Sequence, residues 1–454
     1  MTRGRGLLVA LFVVTLPLVT PRIRASDEIE YFVYLPSLAF DHDLEFGNEY
    51  QYFYERNPGG LALFKGTFLD KREPDTGRHI NFGPVGSAVL WSPFYLAAHV
   101  GVLASRAAGV HLAADGLSAP YVAAICYASA IYGFLGLLLI HDALRRFGGF
   151  SEAAAAWTVA ALWLGTPVLY YMTVAPGFSH APSLFAVSLL VWLWLRARAA
   201  GGGSLAQWIA MGAAGGLAGL VREQDALFLV IPAGWALWEG LRRGPILEAI
   251  KRLAALAVTA ALVFLPQLLV YDVLTGRFRP SRMVSGKLDP SSPHFLEVLF
   301  DPGHGLFVWT PLLLVAFLGL IYAILRRRDA VAPFLTLAFL LQVWINGSLY
   351  TWTQGGAFGS RRFVSATAAL AWGLAWAATV LSERAGRRAV AAAVVLFAWW
   401  NVSLMVQFGL KLMDRQRLEW PRVAVNQFVE VPPRLGRAAW LFFTDRERLV
   451  REGL

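Results

Sequence analysis

Asp41, Asp43 and Glu45 alternate within the stretch Asp41-His42-Asp43-Leu44-Glu45-Phe46-Gly47-Asn48-Glu49-Tyr50. In an extended strand, side chains two apart share a face, so three carboxylates would stand together. Carboxylates held that way raise one another's pKa and can act as a general base or bind a divalent cation. The plainer reading is a solvated acidic loop. A second polar group, Arg222-Glu223-Gln224-Asp225, interrupts two apolar runs. Ionisable residues in such a place mark a functional site, or an internal ion pair that ties two helices together. A third lies between Asp272 and His304, where Arg277, Arg279, Arg282, Lys287 and His294 accompany Ser281. Basic groups beside a hydroxyl suit a phosphate headgroup, or simply an anionic lipid surface. The fourth runs from Tyr350 to Phe363 and holds Trp352, several glycines and Arg361-Arg362. Aromatics with glycines can form a sugar-stacking wall and paired arginines can hold phosphate; an interfacial aromatic belt with anchoring charges is the alternative. His180, in Gly177-Phe178-Ser179-His180, is either a substrate contact or a satisfied helix-end residue.

The scaffold for these groups follows from composition. The 454 residues are 57% hydrophobic and only 15% charged, against about 45–50% and about 25% in an ordinary soluble domain. Long apolar runs recur without strand-like alternation, so the chain reads as an all-α polytopic membrane protein and not as a barrel. The net charge of +10 comes from small basic clusters between apolar runs. That is the pattern of cytoplasmic loops, and it argues against nucleic acid as a partner. Cys126 is the single cysteine, which excludes an intramolecular disulfide and the usual cysteine-type zinc site. No nucleophile elbow, Walker loop, zinc-ligand spacing or dinucleotide-binding glycine pattern occurs.

Arg3 and Arg5 precede an apolar stretch from Gly6 to Thr20, read as an uncleaved first helix because Arg22 and Arg24 sit badly in a cleavage region. The outer segment 25–81 then carries 11 of the 30 acidic residues. Residues 82–104, interrupted by Pro84, Pro93 and His99, read as a helix at the outer interface. Helices near 120–140, 154–172, 178–196, 205–221, 226–241, 252–271, 305–325, 331–350, 364–381 and 389–410 follow, about eleven spans with the first. The links with Arg145-Arg146, Arg196 and Arg198, Arg242-Arg243, Arg326-Arg327-Arg328, and Arg384 with Arg387-Arg388 then all face the cytoplasm. All four polar groups fall on the outer side. Residues 1–410 form one transmembrane domain with outer loops at 25–81 and 272–304, and 411–454 form an outer tail.

With Asp41 and Asp43 in the first outer loop, Asn81-Phe82-Gly83-Pro84-Val85-Gly86 leading into the interfacial helix, Arg222-Glu223-Gln224-Asp225, and Gly355-Gly356-Ala357-Phe358-Gly359-Ser360-Arg361-Arg362, the sequence resembles the bacterial GT-C superfamily of integral-membrane glycosyltransferases. It is most similar to the subgroup of protein mannosyltransferases, aminoarabinose transferases and RgtA/B/C/D-like enzymes, over most of the chain to about residue 410. The resemblance implies transfer of a hexosyl or pentosyl group from a polyprenyl-phosphate donor to an acceptor hydroxyl on a lipid, glycan or protein. It implies a multi-pass inner (plasma) membrane protein working at the outer, periplasmic face. The family's acidic base carries over to Asp43, with Asp41 second. Basic residues around the donor phosphate carry over to Arg222, Arg361, Arg362 and Lys287. Glu45, Glu49, His180, Glu223 and Trp352 complete the expected substrate contacts. No cofactor is expected, with a divalent cation at Asp41 and Asp43 as the one candidate. The Pro-Pro start of the interfacial helix in related families is replaced by Gly83-Pro84, a departure that bears on the acceptor. Inverting single displacement is the simplest chemistry. The competing function is a transporter or lipid flippase of envelope-glycan building blocks, which calls for facing polar residues at the bilayer midplane. A structural scaffold of an envelope complex is a third.

Overall fold

The computed structural model describes residues 2–244, 246–291, 293–446 and 448–449. The far end of the expected outer tail, 450–454, lies outside the described residues. Among those described, regular structure is helical throughout, with one isolated antiparallel bridge between Arg72 and His79. The chain divides into two compact units, Ala10–Leu139 with Tyr171–Leu288, and Met1–Val9 with Ile140–Tyr170 and Asp289–Leu454.

Five helices are long and apolar enough to cross a membrane: Gly86–Ala107, Ala119–Arg146, His180–Ala199, Ile246–Thr275 and Thr367–Gly409. Shorter apolar helices span Glu152–Leu164, Leu205–Val221 and Ala332–Gly347. The sequence reading of residues 82–104 as interfacial thus corresponds to Gly86–Ala107, a helix of sufficient length to span. The expected helices 364–381 and 389–410 form one run, Thr367–Gly409, broken at Gly386 (φ 83°), beside the basic link. Exposed Val258, Leu262, Leu265 and Leu269 on Ile246–Thr275 give it an apolar outer face suited to lipid.

In the unit holding residues 25–81, a capping box starts the helix Leu205–Val221. The Gln207 N–H donates to Ser204 Oγ and the Ser204 N–H to Gln207 Oε1. Small residues then let backbones meet: a Cβ on Gly212 or Gly216 would press on the carbonyls of Leu256 and Ala260 in Ile246–Thr275. A Cβ on Gly86 would strike the backbone of Leu220 and Val221. The Asn81–Gly86 stretch is therefore a joint: it brings the start of Gly86–Ala107 against the end of Leu205–Val221, one residue before Arg222.

The segment 25–81 buries its own aromatic core of Phe32, Tyr34, Phe46, Tyr50, Phe53, Phe64 and Phe68. Hydroxyls tie it to the joint, with Tyr34 donating to Gly83 O (2.8 Å) and Tyr50 to Ile80 O (2.9 Å). In the other unit, Gly319 and Gly373 bring Pro311–Arg327 and Thr367–Gly409 together, a Cβ on either one colliding with the facing backbone.

Candidate functional site

The acidic stretch is not a strand. Helix Ser26–Phe32 runs into a π-turn over Ser37–Asp41, and His42 takes a left-handed φ of 58° before helix Gly47–Arg56 begins. The three carboxylates therefore do not share a face, and each has its own partner. Asp41 Oδ2 accepts from Asn48 Nδ2 at 2.8 Å. Asp43 Oδ1 accepts from Ser37 Oγ and from the Glu45 N–H, both at 3.0 Å, and the Asp43 side chain is exposed. Its Oδ2 has no protein donor among the described residues. Glu45 is bound on the opposite side, by Arg72 at 2.8 Å and by the His79 ring.

Glu49 is fully buried, and neither of its oxygens has a hydrogen-bond partner among the described residues. Burial pushes its carboxyl up to about 8, with the neighbouring charges of Asp41 and Asp43 acting in the same direction. Glu28 is also buried and raised to about 7 by desolvation, against the pull of the Ala25 and Arg24 N–H groups that it accepts. Among the described residues no group of three or more metal-ligating side chains could hold a metal ion.

Arg222 is the C-cap residue of Leu205–Val221, in an extended conformation. Its guanidinium donates to Ser179 Oγ (3.3 Å) and Gln224 Oε1 (3.3 Å), and meets His180 Nδ1 at 2.9 Å. None of these partners is a carboxylate. The ion pair with Glu223 or Asp225 that the sequence allowed is not formed among the described residues; the buried Asp225 carboxylate instead accepts from Ser183 Oγ. The Arg222 Nε–H is buried with no acceptor among the described residues. Glu223 is exposed beside it. His180 is buried between Tyr171 and Phe178, so it orients the arginine from beneath. The Lys287 ammonium lies 4.9 Å from the centre of the Phe82 ring, a cation–π contact with the joint.

Asp41, Asp43, Glu45, Glu49, His180, Arg222, Glu223 and Lys287 thus belong to one unit. Trp352, Arg361 and Arg362 belong to the other. There Arg362 ties down its own loop, its guanidinium donating to Thr351 O (3.1 Å) and Thr351 Oγ1 (3.0 Å). Its N–H donates to Gln354 Oε1 at 3.0 Å, and Gln354 is left-handed with φ 53°. Arg361 opens the short turn Arg361–Phe363. Trp352 packs on His294 with ring centres 5.5 Å apart. His304 Nε2 meets Ala357 O at 2.7 Å and its ring stacks on Trp309.

Several supporting residues escaped the sequence reading. Ser37 orients Asp43, and Ser179 orients Arg222. Tyr31 is buried, bonds to Ser179, and feels the Arg222 charge. Gln267, buried in Ile246–Thr275, accepts the Val85 N–H at 2.8 Å. Its place as an amide inside an apolar run was the one available signal.

Residues 121–270, which include His180 and Arg222, match the Dolichyl-phosphate-mannose-protein mannosyltransferase family. No curated protein matches the sequence. The fold is similar to that of ArnT from Cupriavidus metallidurans bound to undecaprenyl phosphate, with a TM-score of 0.54 and 17% identity over 99% of this chain and 76% of that one. The apo ArnT structure gives a TM-score of 0.54 and 15% identity over 99% and 73%. The resemblance expected from the motifs agrees with both findings, a mannosyltransferase-family match over residues 121–270 and a fold similar to that of ArnT.

Proposed function

We propose that this multi-pass membrane protein transfers a sugar from a polyprenyl-phosphate-linked donor to an acceptor hydroxyl at the outer face of the inner (plasma) membrane. The observation that carries the reading is Arg222. Its guanidinium is held by Ser179, Gln224 and His180 and by no carboxylate among the described residues, and a buried Nε–H is left with no acceptor among them. A buried donor without an acceptor is costly, and a phosphate oxygen is the ligand that satisfies both charge and geometry. The ligand named for the similar ArnT structure, undecaprenyl phosphate, supports that donor class. Nucleotide sugars are absent outside the cytoplasm, so an outer site needs a donor anchored in lipid.

In the proposed reaction the acceptor oxygen attacks the anomeric carbon while its proton passes to the unpartnered Oδ2 of Asp43. The bond from the anomeric carbon to the phosphate oxygen breaks, and its electron pair leaves on the lipid phosphate. Arg222 stabilises that growing negative charge. One displacement inverts the anomeric centre. Ser37 and the Glu45 N–H hold the other carboxylate oxygen and fix the orientation of the base. Lys287 is a second cation for the donor phosphate in this reading, and Glu223 and His180 line its approach.

The test is native mass spectrometry and transfer assay of wild type, Asp43→Asn and Arg222→Ala in mild detergent. A polyprenyl-phosphate sugar should co-purify with wild type and Asp43→Asn and be lost from Arg222→Ala. Transfer should fall about 10²–10⁴-fold in Asp43→Asn, the usual worth of a general base. Undiminished transfer by Asp43→Asn refutes the base. Bound phospholipid alone in all three proteins, with translocation and no transfer, would mean a flippase instead.

A further inference from the structure

The last long helix, Thr367–Gly409, breaks at Gly386 beside the basic Arg387-Arg388 link. From that link to Gly409 the α-helical rise gives about 33 Å, close to the roughly 30 Å hydrocarbon core of a bilayer. The basic link therefore marks one membrane surface and Gly409 the other. The chain that follows does not leave that second surface. Trp420 stacks on Trp400 with ring centres 5.4 Å apart, and Gln427 Nε2 donates to Trp400 O at 3.4 Å. Trp400 precedes the end of the helix at Gly409 by about 14 Å of helical rise. Asn426 Nδ2 donates to Leu412 O at 2.9 Å, and Val423 shares a buried cluster with Leu404 and Phe408. Residues 420–427 thus lie alongside the final turns of a membrane-spanning helix, between the levels of Leu412 and Trp400.

The helix Val431–Thr444 continues from there. Pro432 opens it within its first turn, where a missing N–H leaves no helical bond unmade. Val431, Ala438 and Leu441 are buried against the protein. A second apolar set faces outward: Phe428 and Val429 in the preceding turn Asn426–Glu430, then Trp440 and Phe443. Phe428 is 71% and Trp440 69% exposed, and large apolar side chains gathered in the open mark a surface that meets something other than water.

The charges fit a lipid boundary. Val431–Thr444 contains no acid and no lysine, only Arg434 and Arg437. Arg434 turns back onto Glu430, donating to its carbonyl at 2.7 Å and to its carboxylate. Beyond the helix, the Arg446 guanidinium lies 4.1 Å from the centre of the Phe442 ring. Long arginine stems can follow apolar surface and hold their charge among headgroups while neighbouring aromatics sit deeper.

We infer that residues 420–444 are an interfacial element of the membrane, with Phe428, Val429, Trp440 and Phe443 seated at the acyl boundary of the leaflet opposite the Arg387-Arg388 link. The partner is the lipid surface itself. Depth decides this, because a segment bonded to Trp400 already stands inside the boundary that Gly409 marks. It takes 420–444 out of the tail expected to lie clear of the membrane, and it holds whether or not the chain is a transferase.

Cys126 is the single cysteine, so the full-length Cys126→Ala chain can carry one fluorescent NBD label at Phe428→Cys, Trp440→Cys, Phe443→Cys or Asp414→Cys. All four positions are exposed, so the substitutions leave the packed core intact. In phosphatidylcholine nanodiscs, spin-labelled lipid should quench the first three at least about twofold more than Asp414, and best from near the glycerol end of the chain, as burial of roughly 5–10 Å requires. Aqueous iodide should quench the Asp414 position more than the other three. Iodide quenching of all four alike overturns the inference, since the face is then in water. Shielding of the three from both quenchers does so too, because a second copy or another protein then covers them. Wild type with a diazirine-bearing phosphatidylcholine gives a check free of substitutions. Crosslinks should map to 420–444 as well as to the outer face of Ile246–Thr275, and crosslinks on the latter alone overturn the inference.

Discussion

At the residue scale, Glu49 and Glu28 are carboxyls that the native state holds protonated in a range where the unfolded chain ionises them. Both folded pKa values are raised, so the unfolded state releases protons first and stability falls as pH rises from about 4.5 towards 7 for Glu28 and 8 for Glu49. Below that window the two groups contribute no pH dependence. The neutral mimic Glu49→Gln should therefore raise the unfolding temperature more at pH 8 than at pH 5, measured by thermal denaturation in detergent. Equal shifts at the two pH values would contradict a buried neutral acid. Asp41 and Asp43 turn to separate donors, Asn48 for one and Ser37 with the Glu45 N–H for the other. Transfer is accordingly expected to persist in excess EDTA, and abolition reversed by added divalent cation would restore the metal reading of the pair.

At the element scale, the joint from Asn81 to Gly86 sets how the outer segment meets the helix that ends at Arg222. Gly86→Ala places a methyl against the Leu220 and Val221 backbone, an overpacking that typically costs about 1–3 kcal/mol. The expected outcome is a lower unfolding temperature together with weaker donor retention, because the end of Leu205–Val221 must move. The apolar runs made the membrane helices legible, and Leu205–Val221 matches its expected bounds because a serine cap and a charged junction delimit it. The acidic stretch would gather its carboxylates on one face only as a strand, and it is not one. Its periodicity of two is real in the sequence, but burial of Phe46, Tyr50 and Phe53 on one helix face decides the backbone. Arg222 was legible as an unusual charge; its partners were not, since Ser179 and His180 lie more than 40 residues away.

At the scale of the whole molecule, the basic links give a topology that chemical labelling can read. Cys126 is buried and alone, so a Cys126→Ala background leaves no native thiol. In it, Asp70→Cys should react with a membrane-impermeant maleimide from outside intact cells, while Ser204→Cys and Ser382→Cys should react only after permeabilisation. The reverse pattern would place the four polar groups in the cytoplasm and remove the reason for a lipid-anchored donor. Whether Gly86–Ala107 crosses or lies at the interface is decided by the same labels, because a crossing inverts every later loop. Sequence alone read the segment as interfacial from its prolines and His99, with the five basic links on one side as support.

The backbone contact at Gly86 also limits how this part of the fold can diversify. Where two helices touch through main-chain atoms, no exchange of side chains can widen or narrow the gap, so the spacing between the outer segment and Arg222 is closed to gradual adjustment. Change in that unit is left to segments outside the contact, such as the turns at Lys71–Asp75 and Arg277–Met283, which take no part in it. Related chains should accordingly keep a glycine at this joint while varying freely in those turns.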